Sequence, residues 1–422
     1  MREKLKSLLL VALCISTVVL LMINLSLGIE DEQLSTSLGF YESYNADAQT
    51  SGSTVRPAKI AVGGAGGLYL ASGGEASAMW SSVSPILSEA LGSVTKITAI
   101  DREEFLSRLN GYSIYTGFTF SVPFHMLQFW WTGEQGLSSV QAASNMALVE
   151  DDGRVSLVFC DSDKGEYYSA DTAAGYDRFV EFCMSYSESN AFFAGQRDGY
   201  QMFVPYEPVW AEGAWFPVYS VSLPEYSEDG SVDEKLLSAF GFNPFLAETY
   251  FTTNGDIVYV EGYKALSFSS GGRVIYSSNG GSGIPIEGYS MLSGKAAEAH
   301  AVTAAANVLT RICSAASCPA ELSVAGIDEN NGKTVLVFER IEDGVMVTEA
   351  DGYTAVVTVE NGSITAIRLQ LGSMSKLSES MLLPLDLASA LIDGSGNELF
   401  VRCRVDGETA VPELCWRRGG VR

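Results

Sequence analysis

The chain is poor in the residues on which most enzymes depend. Its 422 residues include two histidines, His125 and His300, and seven cysteines. Neither histidine has a second one at H-x-x-x-H or H-E-x-x-H spacing, and no C-x-x-C pair occurs, so the usual zinc signatures are missing. No G-x-S-x-G elbow is present. The Ser-x-x-Lys spacing from Ser373 to Lys376 falls in an expected loop, not on the packed helix a Ser-Lys hydrolase uses. Cations are scarce as well: 26 Lys and Arg face 51 Asp and Glu, for a formal net charge of −25. Such a surface repels nucleic acid and anionic headgroups, which excludes a polyanion-binding role. These absences point away from catalysis, and no cofactor or metal is expected.

Long apolar runs are also missing, with one exception. Leu8 to Leu27 is a stretch of 20 residues without a formal charge. As a helix it is about 30 Å long, the thickness of a bilayer's hydrocarbon core. Arg2, Lys4 and Lys6 precede it, and Glu30, Asp31 and Glu32 follow. The basic flank predicts a cytoplasmic N-terminus with the bulk of the chain outside the cell. No small-x-small cleavage site follows, so the span is expected to persist as an anchor. Within it, Ala12, Ser16, Leu20 and Asn24 recur every fourth residue and share one helix face. Small residues let helices approach and an amide in lipid seeks a partner, making this stripe a candidate packing face for another membrane helix.

The glycine-rich stretch GGAGGLYLASGG (63–74) lacks both the G-K-[ST] ending of a P-loop and the G-x-G-x-x-G spacing. It reads as a glycine turn between two short strands, followed by a helix with Trp80, Val83, Leu87 and Leu91 at helical spacing. Asp101 and Glu104 then announce a second helix in the manner of a capping box. YTGFTFSVPFHMLQFWW is expected to be a strand ending in an aromatic cluster. Tyr176, Phe179, Val180, Cys183 and Tyr186 mark a further helix.

The expected class is α+β. The span and its tail take residues 1–28, a Ser/Thr/Gly-rich stalk 29–57, and a mixed N-terminal domain 58–222. Two units of hairpin, helix, hairpin follow, a central one (223–348) and a C-terminal one (349–422). Pro384 and Gly394 bracket the helix of the second unit.

Six cysteines lie beyond the span. Cys403 and Cys415 are the best candidate disulfide, since a hairpin could bring them face to face; six buried free thiols are the alternative. DSDKGE and DENNGK place glycine fifth from the first Asp rather than sixth, and read as turns, not calcium loops. The aromatic stretches 124–131 and 206–219 are either core or the lining of a ligand groove.

The run FNPFLAETYFTTNGDIVYVEGYKALSFSSGGRVIYSS (242–278) resembles a segment of the YycH proteins. RPAKIAV (56–62), IYTGFTFSVPFHML and the ending GETAVPELCWRR are similar to other parts of that family. The resemblance implies a membrane-anchored extracytoplasmic regulator of a cell-wall two-component system rather than an enzyme. It also implies two partners, a sensor histidine kinase of WalK (YycG) type and a YycI-like sister protein, with coupling through transmembrane helices. An extracytoplasmic protein binding a wall fragment or other small molecule is the alternative.

Overall fold

Side-chain alternation in the first strand already separates two cores. In β1 (Lys59–Gly64), Ile60 and Val62 enter one core, while Ala61 enters a second, and Lys59 shares the side of Ala61. The computed structural model describes residues 54–133, 137, 140–224, 232–279, 283–289, 292, 294–330, 332–349, 352–382, 392 and 394–418. All lie in one compact unit, 50–422.

The first sheet is antiparallel. Besides β1 it contains β2 (Gly67–Leu70), β3 (Thr98–Ile100), β4 (Ser113–Pro123), β5 (Ala142–Asp151), β6 (Arg154–Asp161), β7 (Glu166–Asp171), β8 (Ala191–Phe193) and β9 (Pro208–Trp210). Their spatial order is 3-7-6-5-4-1-2-8-9. On one face lie α1 (Gly74–Ser93), α3 (Phe124–Thr132) and α4 (Tyr176–Met184). The short α2 (Arg102–Arg108) buries Phe105 against the other face.

The second sheet holds the remaining strands: β10 (Trp215–Ser222), β11 (Glu248–Phe251), β12 (Ile257–Glu261), β13 (Lys264–Phe268), β14 (Arg273–Ser278) and β15 (Ile284–Pro285). After these come β16 (Glu321–Asn330), β17 (Lys333–Glu342), β18 (Val345–Thr348), β19 (Ala355–Glu360) and β20 (Ser363–Gln370). Last are β21 (Ser373–Met381), β22 (Asn397–Asp406) and β23 (Thr409–Arg418). The order along its main path is 11-12-13-14-20-19-17-18-22-23-10-21. Two helices belong to this half, α5 (Glu234–Ala239) and α6 (Lys295–Ala315). Strands 12–14, 17, 19 and 20 share the first core with α5 and α6, whereas β10, β18, β22 and β23 share the second core with the first sheet.

The helices meet through specific contacts. Trp80 of α1 and Trp131 of α3 lie 5.4 Å apart, and the Trp130 indole donates to the Ala299 carbonyl of α6 at 3.2 Å. The buried Gln128 amide donates to the Leu91 and Val94 carbonyls at the end of α1, where the Leu91 carbonyl also accepts from the Val94 amide at 3.4 Å. α6 is rich in alanine, and Ala299, Ala301 and Ala305 are buried, so its backbone can lie close to its neighbours.

Local signals are well kept. Asp101 accepts from the Glu104 amide at 2.8 Å, although the Glu104 carboxylate turns to Arg108 and not back to the cap. Asp152, Asp343 and Asn361 take φ of 48°, 49° and 52°, each followed by a glycine, in tight hairpins of the primed-turn kind. The 63–74 stretch holds the β1–β2 hairpin, DSDKGE forms the β6–β7 turn, and in DENNGK Asn330 pairs with Lys333 where β16 meets β17.

Several expectations change. Residues 124–132 are a helix, not the end of a strand: Phe124, Met126, Leu127, Trp130 and Trp131 are all buried, so no strand-like alternation exists. Thr54 to Pro57 belong to the fold and not to a stalk, for Val55 is fully buried and Arg56 pairs with Glu321. β10 joins the second sheet, which moves the sheet boundary to residues 211–214. The central and C-terminal units do not stand apart: β19 and β20 insert between β14 and β17, and β18 lies between β17 and β22. Ser373–Lys376 forms part of edge strand β21. Most of the helix expected between Pro384 and Gly394 lies outside the described residues, as does the whole of 1–53. Among the described residues no helix is long and apolar enough to cross a membrane.

Gly66 is where the first hairpin meets the chain after α4. A Cβ there would sit 2.1 Å from the Ser187 carbonyl oxygen, a backbone atom that cannot step aside alone. Gly111 has open space around it. Gly66→Ala is therefore expected to cost about 1–3 kcal/mol and Gly111→Ala within about 0.5 kcal/mol, read from denaturant midpoints at constant slope.

Candidate functional site

The side of the first sheet that carries Ala61 also carries four polar groups, Lys59, Tyr115, Asn145 and Cys160. Alternation puts them there: Tyr115 lies opposite Ala61 on β4, and Asn145 lies opposite Cys160 on β5 and β6. The hairpin β22–β23 closes over them with Glu398, Phe400 and Arg417.

The result is a closed polar seam. Lys59 Nζ donates to both oxygens of Glu207, at 2.7 and 2.8 Å, with both residues buried. The Lys59 ammonium also sits 4.4 Å from the centre of the Phe400 ring, a cation–π arrangement. Glu398, wholly buried, accepts from Asn145 Nδ2 at 2.6 Å and from Arg417 at 2.6 and 3.1 Å. Asn145 Oδ1 in turn accepts from the Tyr115 hydroxyl at 2.6 Å. Arg417 reaches further, donating to the Thr119 carbonyl and to Ser162 Oγ, both at 2.9 Å. Two cations meet two carboxylates, and the amide and hydroxyls fill the remaining positions.

Burial governs the acid–base behaviour here. It pushes Glu207 up to about 7 against the pull of Lys59. It raises the Cys160 thiol to about 12, with the Glu398 charge adding to the effect, and raises the Tyr115 and Tyr206 hydroxyls well above their ordinary value. No member is poised as a nucleophile. The seam can hold two sheets in one register.

The residues singled out by sequence fall elsewhere. His125, on α3, packs against α6 with Glu298 at 3.8 Å, and burial lowers it to about 4, so it is neutral near pH 7. His300 Nε2 bonds the Glu287 carbonyl oxygen at 2.7 Å. Among the described residues no group of three or more His, Cys, Asp or Glu is placed to hold a metal. The aromatic stretches are core: Phe124, Trp130 and Trp131, and likewise Tyr206, Phe216 and Tyr219, are buried, with Trp215 the exposed exception.

Cys403 and Cys415 are free and cannot meet in this register. Cys403 lies opposite Pro412 and Cys415 opposite Phe400, an offset of three positions that puts the two thiols on opposite faces of the hairpin. The other four described cysteines are free as well. Ala12, Ser16, Leu20 and Asn24 lie outside the described residues.

Sequence inspection passes over the seam, yet it leaves a trace. Lys59, Glu207 and Glu398 are single charges set in KIAV, YEPVW and NELFV, runs otherwise apolar. A charge inside a buried strand needs a partner.

No protein-family model matches the sequence, and no curated protein matches it. A solved structure does: YycH from Bacillus subtilis, at TM-score 0.60 over 87% of this chain and 95% of that one, with 14% sequence identity. The fold is that of YycH. The match extends through both sheets, so the interleaved strand order and the seam between them sit in a framework of YycH type.

Removing one side of a buried ion pair strands the other. Lys59→Met is expected to cost about 3–5 kcal/mol, and adding Glu207→Leu to recover most of it, measured as unfolding free energies. Glu207 also sets a pH trend. Its folded-state value, about 7, lies above the ordinary 4.5, so the stability it contributes is complete below about 4.5 and is lost as pH rises through 7. Glu207→Gln is expected to flatten that part of the stability–pH curve, as read by thermal unfolding from pH 4 to 8.

Proposed function

We propose that this chain is a membrane-anchored extracytoplasmic regulator that acts by binding and not by chemistry. Its target is a sensor histidine kinase of WalK type in a cell-wall two-component system, engaged together with a YycI-like sister protein. The observation that carries the reading is the YycH fold over 87% of the chain. The charge-free run Leu8–Leu27 supplies the anchor and leaves the acidic bulk outside the cell.

To change kinase output, the chain must bind one signalling state better than the other. The face of Ala12, Ser16, Leu20 and Asn24 is the proposed contact within the bilayer, where close approach and a hydrogen bond from Asn24 favour one neighbour over lipid. The seam keeps the outer domain rigid, so that a displacement at one end of it is carried as a unit.

The test pairs association with output. Replacing Ala12, Ser16 and Asn24 by leucine is expected to lower co-purification of the kinase from native membranes at least about fivefold and to shift kinase output with it. Both persisting with a wholly scrambled span would show the helix-packing mechanism to be wrong.

A further inference from the structure

The long second sheet ends at β11, a four-residue strand with three aromatic or apolar neighbours left exposed beside its single glutamate. Among the described residues no strand pairs with its outer side. On the strand Phe251 is 60% and Tyr250 50% exposed, and the turns beside it add Phe245 at 83% and, between β12 and β13, Tyr263 at 73%. Single exposed apolar residues are ordinary, but several gathered on one edge are not.

The patch is held rigidly. The Asn243 amide donates to Glu261 Oε2 at 2.6 Å, Asn243 Oδ1 accepts from the Phe245 amide at 3.0 Å, and the Asn243 carbonyl accepts from Leu246 and Ala247. These bonds fix the turn that offers Phe245 and Leu246 to solvent.

The backbone is open in a defined pattern. The Thr252 amide bonds the Asp256 carbonyl at 2.9 Å, and antiparallel pairs alternate between bonded and unbonded. With Tyr250 opposite Val258 and Phe251 opposite Ile257, the backbone of Glu248 and Tyr250 turns toward β12. That of Thr249 and Phe251 turns outward, where no strand among the described residues pairs with it.

The two faces differ in chemistry. Phe251 and Thr249 continue the side of Ile257 and Tyr259, which are buried in the core. Glu248 and Tyr250 lie on the other side, joined by a hydrogen bond from the tyrosine hydroxyl to the carboxylate. A carboxylate beside an aromatic ring favours a cation.

We infer that β11 is a docking edge for an extended segment of a partner polypeptide in which apolar and cationic residues alternate. The segment adds as a strand beside Glu248–Phe251. Its apolar residues lie beside Phe251 and Phe245, and its lysines or arginines beside Glu248 and Tyr250. Charge decides between occupants, for a chain of net charge −25 repels a second copy of itself and an anionic lipid surface alike. The edge serves this purpose whether or not the chain regulates a kinase.

The test uses the full chain in neutral detergent micelles and an acetylated peptide of alternating lysine and valine. Binding is followed by fluorescence anisotropy, and amide exchange at Thr249 and Phe251 by hydrogen–deuterium exchange. The peptide is expected to bind and to slow exchange at those two amides about tenfold or more. The glutamate–valine analogue, and a lysine–valine peptide N-methylated along one edge, are expected not to bind. Thr249→Pro, which removes an outward donor, is expected to abolish binding at an unchanged melting temperature. Should that variant unfold, Phe245→Ser with Phe251→Ser replaces it, with at least about a tenfold loss expected.

Equal binding of the N-methylated peptide, or of a peptide with its lysines in one block, would overturn strand addition. Protection that grows with protein concentration and not with peptide would assign the edge to a second copy. Protection on transfer to phosphatidylcholine nanodiscs, again without peptide, would assign it to lipid. Either result defeats the proposal and leaves the test on the membrane span untouched.

Discussion

Two buried carboxylates in one interface can be tolerated only if two cations arrive with them. Glu207 and Glu398 are both fully buried, and an isolated carboxylate there would cost several kcal/mol. Lys59 comes from the first of the described strands and Arg417 from the last of them. The seam therefore forms only when the two ends of the described fold have come together in register. A slip of one residue along β22 would turn Glu398 toward the wrong face and leave Asn145 and Arg417 without their acceptor. Hydrophobic contact alone would let the two sheets pack in several ways. The charges admit one.

This dependence explains what could be read in the sequence and what could not. Features set by neighbours along the chain were legible: the Asp101 cap, the glycine hairpin at 63–74, and the α4 stripe of Tyr176, Phe179, Val180 and Cys183. The helix at 124–132 was not, because it is buried nearly all round and its residues show neither a period of two nor a polar face. Strand order was the larger loss. Nothing local in β19 or β20 says that they separate β14 from β17, because sheet neighbours far apart in sequence choose each other through packing. The seam was hidden for the same reason. Lys59, Asn145, Glu207, Glu398 and Arg417 become one feature only once the topology is known. The exposed edge lay inside the very run that carried the family resemblance, 242–278, yet whether Phe245 and Phe251 are covered depends on which strand comes next.

The two ends of the second sheet make an instructive contrast. At one end, β21 exposes Leu377 but intersperses Ser375, Lys376, Ser378 and Glu379, with Lys376 and Glu379 paired at 2.6 Å. Its partner β10 carries a register shift between Val218 and Tyr219, which distorts the strand pair. Charges and bulges are the usual means by which an edge avoids unwanted pairing. At the other end β11 has neither a bulge nor a lysine, and its aromatic residues are held on a braced turn. Its one charge is the carboxylate of Glu248, so the edge is guarded against anionic partners and left open to cationic ones.

Charge bears on both ends of this molecule. Several of the few cations are drawn inward: Lys59 and Arg340 are buried, and Arg56, Arg402 and Arg417 are mostly shielded within ion pairs. Each of these cations is matched by a carboxylate, Glu207, Glu342, Glu321, Glu339 or Glu398, so the excess of 51 acidic over 26 basic residues is left to the surface. Two kinds of association are left open to such a body. One is the contact within the bilayer proposed for the uncharged run Leu8–Leu27, which brings no surface charge to repel a neighbour. The other is with a partner that brings positive charge of its own, which an aromatic edge beside Glu248 is equipped to accept. The fold thus uses its cations to fasten its own sheets, and in doing so it narrows the chemistry of whatever meets it from outside.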